Sequence, residues 1–366
     1  MPNNNSRVLT INPGSTSTKF GVYTQAGVEW VFTIQHKDEE LVKYRGRPAI
    51  EGLEYRVGLI AQALKDAGYS PSNFAAVAGR GGFLPPTTCG TYLVDEPMLA
   101  ELRLALRGDH PCNLGAMLAA QFAAEAGVNA YIVDPVTVDE WQDIARVTGA
   151  PQVKRFLVGH ALNTKATARR YAKEQGRMYE SLRLIIVHMG SGITVSAHLN
   201  GRAIDSNSVQ EGPFGPDRSG SLPSTELVNL CFSGKYTQDE VKRMVFGAGG
   251  LFAYLGTRDL VEVERRIAAG DKEAARIYEA MIYQIAKEAG AMAVVLSGKV
   301  DAILLTGGMA NSERVVGLLR GYLNWIAPIA VYPGEDELQA LAEGVFRVLN
   351  GEEKAKRLED EQSAAV

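Results

Sequence analysis

The sequence has no long apolar run and no block of basic residues, and each absence excludes a class of protein. Its longest apolar stretches, 184–187 and 291–296, fall far short of the roughly 20 residues that a membrane-spanning helix needs. The net charge of −4 over 366 residues offers no electrostatic reason for binding nucleic acid. We therefore expect neither a membrane nor a nucleic acid as a partner.

Cysteine is scarce as well. Cys89, Cys112 and Cys231 lie far apart and form no C-x-x-C pair. The polar segment 1–7 lacks the apolar centre of a signal peptide. These features predict a reducing, cytoplasmic setting.

Several familiar catalytic motifs are also missing. The sequence contains no G-x-x-x-x-G-K-[ST] phosphate loop, no H-E-x-x-H or cysteine cluster for zinc, and no G-x-S-x-G nucleophile motif. A nucleotide that binds this chain must therefore use another kind of phosphate cradle.

What the sequence does contain is one layout that occurs twice, about half the chain apart. Each copy has a strand, a glycine-serine turn, a second strand, a tight turn and a third strand. The first copy spans 8–34, with its turn at 12–17, and the second spans 184–204, with its turn at 188–192. The repeat and the chain length predict two copies of one α/β fold.

Helical and strand patterns fill the rest of the chain. Apolar residues at three-to-four spacing predict helices at 56–66, 97–106, 114–126, 237–245, 259–269, 272–296, 312–325 and 336–350. Short apolar runs predict strands at 75–78, 130–133, 302–306 and 329–332. Helix 272–296 suits either a subunit interface or a buried core, and we expect the charged tail 351–366 to fray.

The glycine-serine turns are candidate phosphate loops. Glycines let backbone N–H groups approach phosphate oxygens, and serine hydroxyls add donors. One such turn is an ordinary hairpin, but two in equivalent places indicate two loops that face one cleft. A strand that enters a double glycine at a helix start is a third signal. The predicted nucleotide-binding residues are Asn12, Gly14, Ser15, Ser17, Lys19, Gly190, Ser191, Gly192, Gly307, Gly308, Met309 and Asn311.

These features together resemble the superfamily of acetate and sugar kinases, heat-shock chaperones and actin. Segments 8–19 and 187–194 resemble the two signatures of the acetate and butyrate kinase family. Pro13 and the segments 133–135, 216–220 and 305–310 are closer to its butyrate branch, and the resemblance runs from about residue 7 to residue 349.

The resemblance implies a duplicated ribonuclease H-like (actin-like ATPase) α/β fold with two domains and an interdomain cleft. The first domain would comprise 1–159 with a returning C-terminal helix in 338–366, and the second, nucleotide-binding domain would comprise 160–337. The resemblance also implies a homo-oligomer.

It further implies a reaction that depends on ATP and Mg²⁺, in which a short-chain carboxylate becomes an acyl phosphate. The attacking carboxylate is already ionised at neutral pH and needs no general base. The difficulty is to bring two anions together, so the site needs cations and donors. Arg80 and Arg218, which glycine-rich segments flank, match family arginines.

By the same resemblance, His160 and His188 contact the transferring phosphoryl group. Asp134 is an acidic residue that helps to position Mg²⁺ and the phosphoryl group, and Asn12 and Glu337 are the metal-associated residues. Glu337 also suits a helix N-terminus, where the helix dipole favours a negative charge.

After His160 the acetate branch continues with a second histidine, whereas this sequence reads Ala161-Leu162-Asn163-Thr164. The resemblance therefore assigns no role to Asn163. This departure fits the butyrate branch, whose pocket takes a longer acyl chain. Segment 83–86 either lines an apolar pocket or packs in the core.

Other polar residues are predicted to be structural. We assign His36 and His198 to the protein interior and leave His110 without a role. Asp139, Glu140 and Asp143 are predicted to form a solvated face.

Two further functions remain open. The chain resembles hydroxyl-directed sugar kinases and non-enzymatic, actin-like nucleotide-binding proteins at the level of fold. Arg80 and Arg218 argue against the first, because a neutral sugar has no use for them. The sequence has no peptide-binding module that would favour the second.

Overall fold

The computed structural model of this protein describes residues 6–44, 46–208 and 211–364. The chain divides into two compact units, Met1–Asp139 with Asp336–Val366 and Glu140–Glu335. None of the helices in the described ranges combines the length and the apolar character that crossing a membrane requires.

Both units are built from strands and helices in alternation. The strands are β1 (Arg7–Pro13), β2 (Ser17–Thr24), β3 (Gly27–Gln35), β4 (Phe74–Arg80), β5 (Thr91–Leu93), β6 (Ala130–Val133), β7 (Leu184–Met189), β8 (Ile193–Leu199), β9 (Arg202–Ser206), β10 (Ala302–Gly307) and β11 (Ile329–Pro333). The helices are α1 (Asp38–Leu41), α2 (Leu53–Asp66), α3 (Glu96–Leu104), α4 (Leu114–Ala126), α5 (Ala161–Glu174), α6 (Ser224–Cys231), α7 (Gln238–Val245), α8 (Gly250–Leu255), α9 (Leu260–Ala268), α10 (Lys272–Val295), α11 (Glu313–Leu323), α12 (Glu337–Leu349) and α13 (Leu358–Ala364).

The two sheets share one topology. The first has the order β3-β2-β1-β4-β6-β5, and the second, read in the same direction, has the order β9-β8-β7-β10-β11. In each sheet an antiparallel three-stranded meander is followed by two strands parallel to its first member. Strand β5 is an extra antiparallel edge strand. The predicted duplication is therefore confirmed.

Close backbone contacts hold the first sheet to its helices. A Cβ on Gly79 of β4 would lie 1.9 Å from the carbonyl oxygen of Gly115 in α4, so these two glycines let helix and strand touch directly. Helix α12 packs onto the same sheet, with Leu338, Leu341 and Val345 buried. It thereby places its first residues at the carboxyl ends of β1 and β4.

The second unit is organised around α10. This helix buries ten residues, among them Tyr278, Met281 and Ile285, in the core that also holds β7 and β10. The interpretation of segment 272–296 as a buried core helix accounts for these ten residues, while Tyr283 and Val294 of the same helix are 50% and 78% exposed. Helix α5 packs against β7 and β10.

Two expectations about polar segments are wrong. Glu140 is not solvated: it is 3% exposed, and its Oε2 lies 2.5 Å from Nζ of the fully buried Lys165. The tail does not fray throughout, because Lys356 N donates to Thr91 O and Leu358 is 1% exposed in the core of the first unit. In each case a contact with a residue distant in sequence holds a segment whose local sequence is charged.

Candidate functional site

Parallel strands bring the first group of predicted residues together. Asn12 lies near the end of β1 and Arg80 ends the neighbouring β4, so both project at the same edge of the sheet. Arg80 Nη1 lies 2.6 Å from Oε2 of Glu337 and 3.4 Å from Oδ1 of Asn12. Asn12 Nδ2 also donates to that Glu337 oxygen. Glu337 begins α12 and is 6% exposed, so the helix dipole adds to the stabilisation of its charge.

Asp134 follows β6 at the same edge of the first sheet and is 2% exposed. Its φ of +40° is one that side-chain-bearing residues rarely adopt. The backbone N–H of Gly90 donates to its Oδ1 at 2.7 Å, and its own N–H donates to Gly90 O at 3.0 Å. A strained conformation that is held in this way is a feature typical of functional sites.

The first glycine-serine turn is supported from behind by Arg56 of α2. Its Nη2 donates to Gly14 O at 2.9 Å, while Nη1 donates to Thr18 and lies 2.7 Å from His36 Nε2. Burial lowers the pKa of Arg56, and burial followed by the nearby guanidinium lowers the pKa of His36 to about 4. Ser15 and Lys19 are exposed on this turn and the following strand.

Two histidines lie face to face in the second unit. The rings of His160, before α5, and His188, in β7, stack with centroids 3.8 Å apart and planes 14° apart. His160 Nδ1 lies 2.9 Å from Thr194 Oγ1, and His188 Nδ1 lies 2.8 Å from Asn163 Oδ1. The His188 side chain is fully buried.

Arg218 is a partly buried cation whose side chain makes no hydrogen bond to the described residues. Its Nε and Nη1 are buried and make no hydrogen bond, and burial lowers its pKa. The guanidinium lies 4.2 Å above the ring of Phe246, an attractive cation–π arrangement. A Cβ on Gly192 would lie 2.2 Å from Nη1, so this glycine makes room for the arginine. A desolvated guanidinium with unused donors is suited to bind an anion.

A cavity of about 600 Å³ adjoins these groups within the second unit. Gly190, Ser191, Gly308, Met309 and Asn311 line it, together with Glu335. The structure therefore brings together predicted residues from two separate segments. Gly307 has a φ of +89°, and a Cβ there would lie 2.4 Å from Met189 O, so only glycine lets β10 end against β7.

The predicted residues are divided between the two units. The first unit holds Asn12, Gly14, Ser15, Ser17, Lys19, Arg80, Asp134 and Glu337, and the second holds His160, His188, Gly190, Ser191, Gly192, Arg218, Gly307, Gly308, Met309 and Asn311.

The residues that contact the predicted ones and that sequence reasoning missed include Arg56, Asn163, Phe246 and Glu335. Asn163 alone carried a usable signal, because an asparagine in the first turn of a helix next to His160 is a natural partner for a ring nitrogen. The others are joined to the site by contacts that no local pattern encodes.

Comparison with known proteins places these groups in a family context. A family model described as the Acetokinase family matches residues 152–327. Butyrate kinase 2 of Clostridium acetobutylicum is 49% identical over 353 residues, which cover 96% of this chain and 99% of that protein.

Two solved structures share the fold. An acetate kinase from Porphyromonas gingivalis superposes with a TM-score of 0.77 at 19% identity, over 94% of this chain and 100% of that one. A propionate kinase from Francisella tularensis subsp. tularensis gives 0.74 at 16% identity, over 92% and 98%. The predicted ribonuclease H-like (actin-like ATPase) α/β fold is confirmed by this likeness.

Proposed function

Because this chain belongs to the acetokinase family, in the group that contains the curated butyrate kinases, we propose that it catalyses the reversible transfer of the γ-phosphoryl group of ATP to butyrate. The products are ADP and butyryl phosphate. The same chemistry extends to related short-chain and branched-chain acids, which differ only in the apolar group behind the carboxylate.

The observation that carries this proposal is the state of Arg218. Two guanidinium nitrogens that are buried without hydrogen bonds are costly to keep, and an anion would relieve that cost by accepting hydrogen bonds from Nε and Nη1. A transferring phosphoryl group spreads its negative charge over its oxygens and is such an anion. Every kinase transfers such a group, so the choice of a carboxylate over a sugar hydroxyl as acceptor rests on Arg80, a second cation that a neutral acceptor does not need.

The cavity of the second unit supports a role in nucleotide binding. Gly190 and Ser191 offer a glycine-serine turn to phosphate oxygens, and Gly308, with open space around its Cα, lets a ligand approach the backbone. Met309 and Asn311 line the same cavity and are placed to contact the rest of the nucleotide.

The first unit offers groups for the carboxylate and for Mg²⁺. Mg²⁺ prefers oxygen ligands and is commonly held by one or two protein groups together with the substrate phosphates. Glu337 Oε2 and Asn12 Oδ1 are oxygens of this kind, and both now lie beside the Arg80 guanidinium, from which the ion would take them over. When bound, the ion would screen the charge of the phosphates. Arg80 is then available to pair with a carboxylate.

In the proposed reaction a carboxylate oxygen of the acid attacks the γ-phosphorus of ATP. The bond between that phosphorus and the β,γ-bridging oxygen breaks, and its electron pair leaves with ADP. Arg218 and the two stacked histidines donate to the phosphoryl oxygens, while Arg80 orients the attacking carboxylate. Asp134 helps to position the phosphoryl group and the ion. No proton is removed from the acid, because it reacts as the carboxylate.

Assembly and location are part of the same proposal. We take the protein to act as a homo-oligomer in the cytoplasm, in line with the resemblance and with the polar, cysteine-poor sequence. Light scattering of the purified protein measures the first of these directly.

A hydroxamate-trapping assay tests the function. The protein is incubated with ATP, Mg²⁺ and acetate, propionate, butyrate, isobutyrate or valerate, with glycerol and glucose as hydroxyl controls. We expect hydroxamate from butyrate or isobutyrate and little from acetate. A folded, ATP-binding sample that forms no hydroxamate from any of these acids contradicts the proposal. ADP release with glycerol or glucose alone would instead identify a hydroxyl kinase.

A further inference from the structure

We infer that Asn163 is a positioning residue that assigns the two ring nitrogens of His188 their separate tasks. It holds Nδ1 in the protein interior and leaves Nε2 for the substrate. The consequence for catalysis rests on the proposed function, whereas the hydrogen-bond arrangement itself does not depend on it.

The first argument is the identity of the atom that faces Nδ1. His188 Nδ1 lies 2.8 Å from Asn163 Oδ1, and an amide oxygen only accepts hydrogen bonds. The hydrogen must therefore be on Nδ1. A further proton that His188 takes up can go only to Nε2.

A second donor supports the orientation of the amide. Thr306 Oγ1 lies 3.2 Å from the same Oδ1 atom and 3.3 Å from Gly334 O, so the two oxygens share its one hydrogen. Asn163, Thr306 and His188 are 5%, 1% and 0% exposed. Two groups that converge on one oxygen favour the orientation in which that atom accepts. Because all three side chains are buried, water cannot replace either bond at little cost.

The third argument is where Nε2 lies. It is 3.2 Å from Glu335 Oε1, although the two are not aligned for a hydrogen bond. A Cβ on Gly190 would also lie 3.2 Å from Nε2. Gly190 and Glu335 both line the cavity of the second unit, so Nε2 is the ring nitrogen on the cavity side. A phosphoryl oxygen in this cavity would face Nε2, which can donate to it when the ring is an imidazolium with a hydrogen on each nitrogen.

One helical turn supplies two supports of the ring. His160 immediately precedes α5 and stacks on the face of His188, while Asn163, in the first turn of α5, binds its edge. The face contact limits tilting of the ring, and the edge contact prevents a flip that would exchange the two nitrogens. Catalysis is sensitive to such positioning, since errors of about 1 Å can reduce a rate about 10²-fold.

Two substitutions and one control test the inference. Asn163→Ala removes the acceptor, and Asn163→Asp keeps an oxygen acceptor of the same shape. Thr164→Val is the matched control, because Thr164 is a buried neighbour on the same helix whose hydroxyl bonds only to Ala161 O among the described contacts. Each variant is examined by long-range ¹⁵N–¹H NMR of the histidine ring nitrogens and by the acyl phosphate assay.

We expect the unmodified protein and the Asp variant to show His188 with the hydrogen on Nδ1. The Ala variant should show a mixture of the two tautomers. We expect Asn163→Ala to lower kcat about 10- to 100-fold, as loss of a partner that orients a functional histidine does, with KM for ATP nearly unchanged. Asn163→Asp should recover most of that loss, and Thr164→Val should match the unmodified protein.

An Ala variant that keeps both the Nδ1–H signal and kcat overturns the inference, as does an unmodified protein in which His188 carries a hydrogen on Nε2 and none on Nδ1. If Asn163→Ala fails to fold, the isosteric Asp variant and the unmodified protein still report the tautomer. If no acid is a substrate, the proposed function fails while the NMR result still decides the role of Asn163.

Discussion

The two glycine-serine hairpins have turns of the same length, but their glycines are needed for different reasons. In the first turn a Cβ on Gly14 would meet only Ser17, with its carbonyl oxygen 3.1 Å away. In the second, a Cβ on Gly192 would lie 2.2 Å from Arg218 Nη1, and one on Gly190 would lie 2.9 Å from Glu335 Oε1. Similar motifs thus meet different surroundings in each copy of the fold.

The arginines beside the two turns differ in the same way. Arg56 uses its donors on Gly14 O, Thr18 and His36, so it supports the turn from within. Arg218 keeps Nε and Nη1 without hydrogen-bond partners among the described residues. The first arginine is therefore engaged in structure, while the second is available for a ligand. Three experiments can break or sharpen this comparison.

Replacing each of the two arginines by alanine should give the largest difference between the two turns. Arg218→Ala removes a cation from the transition state and should lower kcat about 10²-fold or more, as loss of one such donor does. Arg56→Ala should instead lower the free energy of unfolding by about 1–3 kcal/mol, because it leaves buried partners unsatisfied. Assays of acyl phosphate formation and urea unfolding separate the two effects.

Arg276→Ala is the control for that pair, because this arginine is exposed and pairs only with Glu273 on its own helix. It should change neither quantity measurably. Turnover like that of the unmodified protein in Arg218→Ala would remove the basis of the comparison.

Adding a methyl group to a glycine of each turn should give a smaller difference, measured as the loss of kcat. Gly192→Ala forces the Arg218 guanidinium to move and should lower kcat about 10-fold or more. Gly14→Ala requires only a shift of a few tenths of an ångström at Ser17 and should cost less. The ratio of the two kcat values is the measurement, and equal losses would show that the turns are used alike.

The smallest effect concerns pH and two buried histidines, His36 in the first unit and His198 in the second. Burial lowers the pKa of His36 to about 4 and the pKa of His198 to about 3. Below about pH 6.5 the unfolded chain takes up protons that the folded chain does not, so stability falls as pH falls. Each histidine contributes at most about 1.4 kcal/mol per pH unit over this range.

Urea unfolding between pH 6.5 and pH 5 measures this slope. His198→Gln should reduce the slope contributed by the second unit, whatever its effect on absolute stability, and His36→Gln should do the same for the first unit. A slope that is unchanged in either variant would show that the corresponding histidine does not control the pH dependence.

Regular elements with apolar periodicity were predictable, whereas elements with polar buried faces were not. Helices α2, α4, α10 and α12 lie close to the predicted segments, because their apolar positions recur at helical spacing. Helix α5 was missed, since its buried face includes Thr164, Lys165 and Thr167. Lys165 can be buried only because Glu140, distant in sequence, lies 2.5 Å from it.

The sequence by itself determined the duplicated α/β fold, the two glycine-serine turns and the residue types that a carboxylate kinase requires. These follow from local periodicity, turn chemistry and the repeat of one layout, all of which neighbouring residues encode. Only the tertiary structure decided that Arg80 is paired with Glu337, that Arg218 Nε and Nη1 make no hydrogen bond to the described residues, and that Asn163 holds His188. Those distinctions depend on which distant groups meet after the chain has folded, and burial then sets the electrostatic consequence.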